Sequence, residues 1–349
     1  MSAPLSIAGR PIGPDQPPFV IAELSGNHNG EIGRALSLID VAADVGADAV
    51  KLQTYTPDTI TIDHDGPGFV IEGGLWDGRR LYELYQEAHT PWAWHERLFA
   101  HARGLGVACF SSPFDPTAIA FLQGLDAPAY KVASFEIVDI PLVRAMARTG
   151  KPLIISTGLA SPQDIAEAVA AARAAGAKDL VLLHCTSGYP TPPSQMHLRT
   201  MPDLAAAHGV LTGLSDHTMG AAAAVAAVAL GACVIEKHFT LARADGGPDA
   251  AFSLEPDELA RLVADCRDAW AALGGVHYET VEAEAASRDH RRSLYVVADI
   301  EAGEPLTDAN VRSIRPGFGL APKHLDTVLG RPAARALQRG EPLAWDMVG

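Results

Sequence analysis

The stretch Leu211–Thr240, LTGLSDHTMGAAAAVAAVALGACVIEKHFT, decides the fold. It opens on an apolar run, LTGLSDHT, passes through an alanine-rich helical segment at Ala221–Leu230, and returns to a second apolar run, CVIEKHFT. Both runs end in groups that a core does not want, His217 in the first and His238 in the second. A short apolar strand, a helix and another such strand make a unit of buried parallel sheet.

The same unit recurs outward from this stretch. Six further runs have its form: FVIAE (Phe19–Glu23), AVKLQ (Ala49–Gln53), VACFSS (Val107–Ser112), YKVAS (Tyr130–Ser134), LIISTG (Leu153–Gly158) and LVLLHCTS (Leu180–Ser187). Helical spacing fills the intervals, as in Ile32–Val45 and Pro162–Ala175, and Pro256–Leu273 closes the series. Turn sequences such as AGA and VGAD lead back into strands. The expected fold class is α/β, an eight-stranded (β/α)8 TIM barrel, whose chemistry sits where its strands end. A doubly wound sheet is the alternative, and eight units favour closure.

One connection is out of proportion. Tyr55–Thr90 separates the second strand from its helix and holds DGPG, GGLWDGR and LYELYQEAHTPW. A connection of this length in a barrel is a lid or substrate loop; it also reads as a surface excursion packed by Trp76, Tyr82 and Tyr85. The barrel is expected over residues 1–275 and a charged linker over 276–290. A small, mainly β module follows over 291–349, near the lower size limit for independent folding.

The chain has 349 residues, with 27 Lys plus Arg against 42 Asp plus Glu, a net charge of −15. That balance argues against a broad nucleic-acid surface, while leaving room for a locally positive pocket. No uninterrupted apolar stretch is long enough for a membrane span. The start carries no signal-peptide pattern. Cys109, Cys185, Cys233 and Cys266 have no metal or redox spacing and read as reduced core thiols. A cytoplasmic protein is expected, with neither nucleic-acid nor membrane partners.

The strand ends supply the candidate chemistry. Glu23 abuts an apolar strand and is followed by the polar turn LSGNHNG, so it needs a partner or a ligand. Lys51 and Gln53 stand two apart and share one strand face. Lys51 and Lys131 together suit a phosphate or carboxylate; each also suits a stabilising pair with an internal glutamate. Ser111, Ser112, Ser134, Thr157, Thr186 and Ser187 are hydroxyl donors for the same rim, or caps for the next helix. His217 and His238 end adjacent strands. Two imidazoles with water, and Glu23 as a further candidate ligand, leave open positions that suit a divalent Lewis acid such as Mn2+; alternatively, the histidines hydrogen-bond Asp216 and Glu236. Asp249, in the turn GGPD, is set to meet sugar hydroxyls or to make an Asx turn. Arg315 stands in the rigid setting RPGFG. His184 and His95 read as structural.

Taken in order, AELSGNHNG, KLQTY, FSSPFD, YKVASFEI, ISTG, GLSDHT, EKHFTL and RPGFG resemble the N-acetylneuraminate (sialic acid) synthase family from Phe19 to Trp345. GGLWDGRRLYELYQEAHTPWAWH and GGPDAAFSLEP are similar to its pseudaminic acid synthase branch. The resemblance implies that phosphoenolpyruvate and water react with the open-chain amino sugar 2,4-diacetamido-2,4,6-trideoxy-L-altrose, giving pseudaminic acid and phosphate. It implies a C-terminal SAF (antifreeze-like) domain that reaches the partner's site in a homodimer. It further implies Mn2+, or Mg2+ or Co2+, on His217 and His238. By the same likeness Lys51, Lys131, Ser134, Thr186 and, more loosely, Ser112 surround phosphoenolpyruvate. Glu23 stands by the reacting carbons, and Gln53, Asp249 and Arg315 meet the sugar. The rival readings are an N-acetylneuraminate or legionaminic acid synthase, a lysine Schiff-base mechanism, a phosphosugar aldolase or isomerase, and a non-catalytic sugar-binding barrel.

Overall fold

The computed structural model describes residues 5–349, and the chain divides into two compact units at Gly274/Gly275. The first unit opens with a hairpin, β1 (Ser6–Ile7) and β2 (Arg10–Pro11). Eight strands follow: β3 (Phe19–Glu23), β4 (Ala49–Thr54), β5 (Ala108–Pro113), β6 (Tyr130–Val132), β7 (Leu153–Ser156), β8 (Leu180–Cys185), β9 (Leu211–Asp216) and β10 (Val234–His238). Each pairs in parallel with its chain neighbour, and β10 closes on β3. The expected barrel is the observed fold, and closure removes the doubly wound alternative.

Each strand is buried on both faces, but its two faces meet different company. Phe19, Ile21, Ala49, Phe110, Ile154 and Val234 point inward to fill the barrel, joined by Leu5, Ile7 and Ile12 from the hairpin segment. Their strand neighbours Val20, Ala22, Val50, Leu52, Ile155 and Ile235 point outward to the helices. Each Val, Leu, Ile or Phe among them contributes on the order of 1.5–3 kcal/mol through burial. Continuing the two-residue period past the last apolar inward position turns Glu23, Lys51, Lys131 and Glu236 into the barrel at its C-terminal end. The same rule corrects the expectation for Ser111. It faces outward, where its hydroxyl lies 2.6 Å from Thr54 Oγ1, itself 2.8 Å from His95 Nε2.

Local sequence sets the helix starts. Asp115 and Asp139 accept from backbone amides at the first turns of Pro116–Gly124 and Ile140–Ala147. Ser161 and Asp164 cap each other reciprocally ahead of Pro162–Ala174. The long connection after β4 is not featureless. It holds short helices at Pro57–Ile60 and Leu81–Ala88 and a bridge between Val70 and Arg80. Trp76 and Tyr85 pack on the barrel rim, against Tyr189 and Tyr55 respectively, whereas Tyr82 spends its hydroxyl on Asp58 within the excursion. Among the described residues, no helix is long and apolar enough to cross a membrane.

In the second unit, residues 275–290 are exposed and end in 3-10 turns at Glu282–His290. Antiparallel β11 (Ser293–Val296) and β12 (Val311–Ile314) then pack a small core around Leu294, Val296, Ile300, Leu306, Val311 and Leu343. The expected mainly β module is observed, with one short helix at Leu325–Val328.

Candidate active site

Four charged side chains meet inside the barrel mouth, brought there by four strands, β3, β4, β6 and β10. Glu23 and Lys51 are register partners across β3 and β4, and their side chains form an ion pair. Lys131 Nζ lies 2.7 Å from Glu236 Oε1, and Lys51 Nζ stands 3.7 Å from the same oxygen. All four groups are buried. Burial raises the Glu23 carboxyl above its ordinary value, and Glu236 adds to that against the pull of Lys51. Burial works to lower the Lys51 ammonium, but Glu23 and Glu236 outweigh it and hold the group above its usual value. Lys131 is lowered by burial, against the attraction of Glu236. Glu236 is lowered, because the two lysines overcome its burial. Two cations balance two carboxylates here, so an entering anion competes with Glu23 and Glu236 for the lysines.

Hydroxyl groups stand at several of the strand ends. Ser112 Oγ is 3.3 Å from Lys51 Nζ. Ser134 and Ser187 converge over Gly158 at the end of β7. A Cβ on Gly158 would fall 2.3 Å from Ser187 Oγ and 2.7 Å from Ser134 Oγ, so only glycine leaves their hydroxyls free. Thr186 directs its hydroxyl to the Gln195 carbonyl at 3.3 Å, and its own carbonyl accepts from His217 Nδ1 at 3.0 Å. Through that carbonyl it orients a histidine.

His217 and His238 lie with ring centroids 5.3 Å apart. The sequence offered Asp216 and Glu236 as their hydrogen-bond partners, and that alternative is corrected. Asp216 accepts from Lys237 at 2.8 Å and from the Thr218 amide, while Glu236 serves Lys131. With Nδ1–H of His217 donated to Thr186, its Nε2 keeps a lone pair. His238 Nδ1 is buried without a partner, and burial holds this imidazole well below its ordinary pKa, hence neutral. Burial works to lower the His217 imidazole too, but Cys185 and the Thr186 carbonyl outweigh it and raise the group. It serves a borderline divalent ion only in its neutral form, through Nε2, beside the neutral His238. Among the described residues no group of three or more His, Cys, Asp or Glu is arranged to hold a metal, so an ion here would rest on two protein donors.

A chamber of about 500 Å³ opens beside His238. Gln53 borders it and donates to Glu23 Oε1 and Ser25 Oγ, both at 3.3 Å. Asp249 borders it too, half-buried and hydrogen-bonded by the Ser25 hydroxyl; burial raises its carboxyl. Arg315 lies in the second unit, exposed just after β12.

Several residues at the mouth escaped sequence reasoning. Glu236 enters the sequence reading only as a partner for the histidines; its place among the charged groups was detectable, since it precedes His238 by two on one strand and must share its face. Glu136 borders the chamber with Oε2 unpartnered, and burial pushes its carboxyl up to about 7. Tyr189 and Phe252, packed at 4.5 Å from His217 and 4.8 Å from His238 by ring centroids, lie in irregular segments whose position no periodicity encodes.

Comparison with known proteins bears on this mouth. The NeuB family model matches residues 38–278 and the SAF domain model residues 291–349. The pseudaminic acid synthase of Campylobacter jejuni is 45% identical over 329 residues, 94% of this chain and 96% of its own. That of Helicobacter pylori is 42% identical, over 95% and 98%. The crystal structure of an N-acetylneuraminic acid synthetase from Leptospira borgpetersenii superposes with a TM-score of 0.72 at 31% identity, covering 82% of this chain and 95% of that one.

Proposed function

The chain belongs to the NeuB family, and on that premise we propose that it is a pseudaminic acid synthase. It condenses phosphoenolpyruvate and water with 2,4-diacetamido-2,4,6-trideoxy-L-altrose, giving pseudaminic acid and phosphate. The observation that carries this reading is the near-full-length similarity to two proteins that bear that name. The charged quartet beside two histidines supports it chemically.

Lys51 and Lys131 neutralise the phosphate and carboxylate of the donor, with Ser112, Ser134 and Thr186 around it. Gln53 and Asp249 hold the sugar, so that the aldehyde carbon lies within reach of C3 of the enol. The new C–C bond uses the enol π pair, leaving C2 electron-poor, and water adds there. Glu23, whose protonated form burial favours, gives its proton to the aldehyde oxygen as the C–C bond forms and takes one back from the adding water. Cleavage of the C2–O bond releases phosphate with its bonding pair, and the 2-keto acid remains. His217 and His238 would hold a divalent cation, Mn2+ or else Mg2+ or Co2+, which as a Lewis acid polarises the aldehyde. A Schiff base on Lys51 is disfavoured because Glu23 and Glu236 hold that ammonium protonated; on Lys131, which burial lowers, borohydride trapping in the presence of pyruvate tests it. The chain acts as a cytoplasmic homodimer in which Arg315 of the C-terminal domain reaches the sugar's N-acyl group in the other subunit's site.

Phosphate release tests this reading, with Mn2+, phosphoenolpyruvate and three acceptors assayed separately: the altrose diacetamido sugar, its legionaminic counterpart and N-acetylmannosamine. Strong preference for the altrose sugar, with a nine-carbon keto acid identified by mass spectrometry, is expected. Preference for another acceptor keeps the synthase and overturns the branch. His217→Ala and His238→Ala are expected to abolish turnover while leaving the folded circular-dichroism spectrum intact. Full metal-dependent activity in the double variant removes the metal assignment.

A further inference from the structure

The chamber beside His238 has two unlike sides. Apart from the tyrosine hydroxyls and the Trp76 N–H, every polar side-chain group lies on the barrel side, on strand ends and the loops that follow them: Gln53, Ser134, Glu136, His238 and Asp249, set among Phe114, Phe135 and Phe252. The opposite wall is Ile60, Ile71, Trp76, Leu81 and Leu84, all from the long excursion after β4. That wall is built, not draped. Ile71 N donates to Arg79 O at 2.9 Å, Gly78 N to Ile71 O at 2.8 Å and Leu81 N to Phe69 O at 2.9 Å. Trp76 Nε1 donates to Pro248 O at 2.8 Å, which fastens the turn to the segment after β10. The indole N–H is therefore spent, and the five wall side chains offer a ligand no hydrogen bond; the Tyr85 phenol is the polar exception nearby.

A substrate hydroxyl pressed on this wall loses water and gains no partner, while a methyl group gains burial. We infer that the wall formed by Ile60, Ile71, Trp76, Leu81 and Leu84 sets acceptor specificity by receiving the C6 methyl of a 6-deoxy amino sugar and disfavouring its 6-hydroxy counterpart. This rests on the function proposed above. With the aldehyde end at the two histidines, the open chain runs its far end, C6, to the excursion side of the chamber. Choice among acceptors is thus assigned to a connection that takes no part in bond making.

The test compares kcat/KM for the altrose sugar and for the same sugar bearing a C6 hydroxyl, in the full-length protein and in Ile71→Asn and Leu81→Asn. The native chain is expected to prefer the 6-deoxy sugar by roughly 10–100-fold, the range a hydrophobic pocket achieves. Both variants are expected to cut that ratio about tenfold or more, mainly by losing activity on the 6-deoxy sugar, with KM for phosphoenolpyruvate unchanged. Ile71→Thr, which keeps the β-branched shape, serves if an asparagine variant fails to fold by thermal melting. A native ratio near one overturns the inference, as does a ratio unchanged in the variants while both activities fall together. Turnover of neither sugar overturns instead the functional reading on which it rests.

Discussion

At the scale of single residues, the barrel mouth shows how one inward position changes character along a strand. Phe19, Ile21 and Glu23 occupy the same face of β3, and only the last forms an ion pair. Gly158 is a residue whose lack of a side chain is the feature that matters. A methyl there would displace the Ser134 and Ser187 hydroxyls, so Gly158→Ala is expected to raise KM for phosphoenolpyruvate about tenfold, the loss of roughly one hydrogen bond to a charged group. The acceptor KM should move less. Initial-rate kinetics with each substrate varied in turn checks this, and an unchanged donor KM removes these hydroxyls from the donor site. Lys51 and Gln53 were legible as same-face partners from their spacing alone. That Lys131 would meet Glu236 was not, because the two stand 105 residues apart and nothing local to either names the other.

At the scale of elements, β9 and β10 carry a second charged pair on their outer faces. Lys237 and Asp216 are register partners with no side-chain exposure, and Lys237 also donates to the Thr218 carbonyl. The pair sits directly behind His217 and His238 in sequence. It therefore ties together the ends of the two strands that present the imidazoles. Lys237→Met leaves a buried carboxylate without its cation and is expected to cost about 3–5 kcal/mol. Adding Asp216→Asn should recover much of that loss. Urea unfolding of the single and double variants measures both values, and a single-variant cost below about 1 kcal/mol would mean that water reaches the pair. The excursion after β4 was recognisable as an insertion by its length. Its packing on Pro248, Tyr189 and Phe252 joins segments more than a hundred residues apart, and no periodic signal carries such a match.

At the scale of the whole molecule, the response to mild acid is a balance. Glu136, held at about 7 against 4.5, binds its proton more tightly in the fold and stabilises it as pH falls between those values, while two buried histidines act the other way. Burial holds His28 and His95 at about 4, against 6.5 in an unfolded chain. Above pH 6.5 both are neutral in either state, so no penalty exists. Between pH 6.5 and about 4 the unfolded chain takes up protons that these folded imidazoles refuse, and each histidine lowers stability by up to roughly 3 kcal/mol. Urea midpoints across that window check this, and His95→Gln is expected to flatten the slope. The homodimer proposal belongs to this scale too. Light scattering should give twice the chain mass of 36.7 kDa. Mixing Lys51→Ala and Arg315→Ala proteins, each inactive alone, should restore activity if a site draws on both chains. Absence of recovery after subunit exchange would restrict each site to one chain.

The sequence by itself determined the alternation of strand and helix, the faces of the strands and the set of polar groups at their ends. Those properties follow from short-range periodicity and turn chemistry, which need only a few neighbouring residues to be expressed. Tertiary structure alone decided that β10 closes on β3, setting His238 beside Glu23. It also decided that four charges would neutralise one another and that the excursion would roof the chamber with apolar side chains. These outcomes depend on barrel closure and on packing between segments far apart in the chain, where each contact exists only once the others have formed.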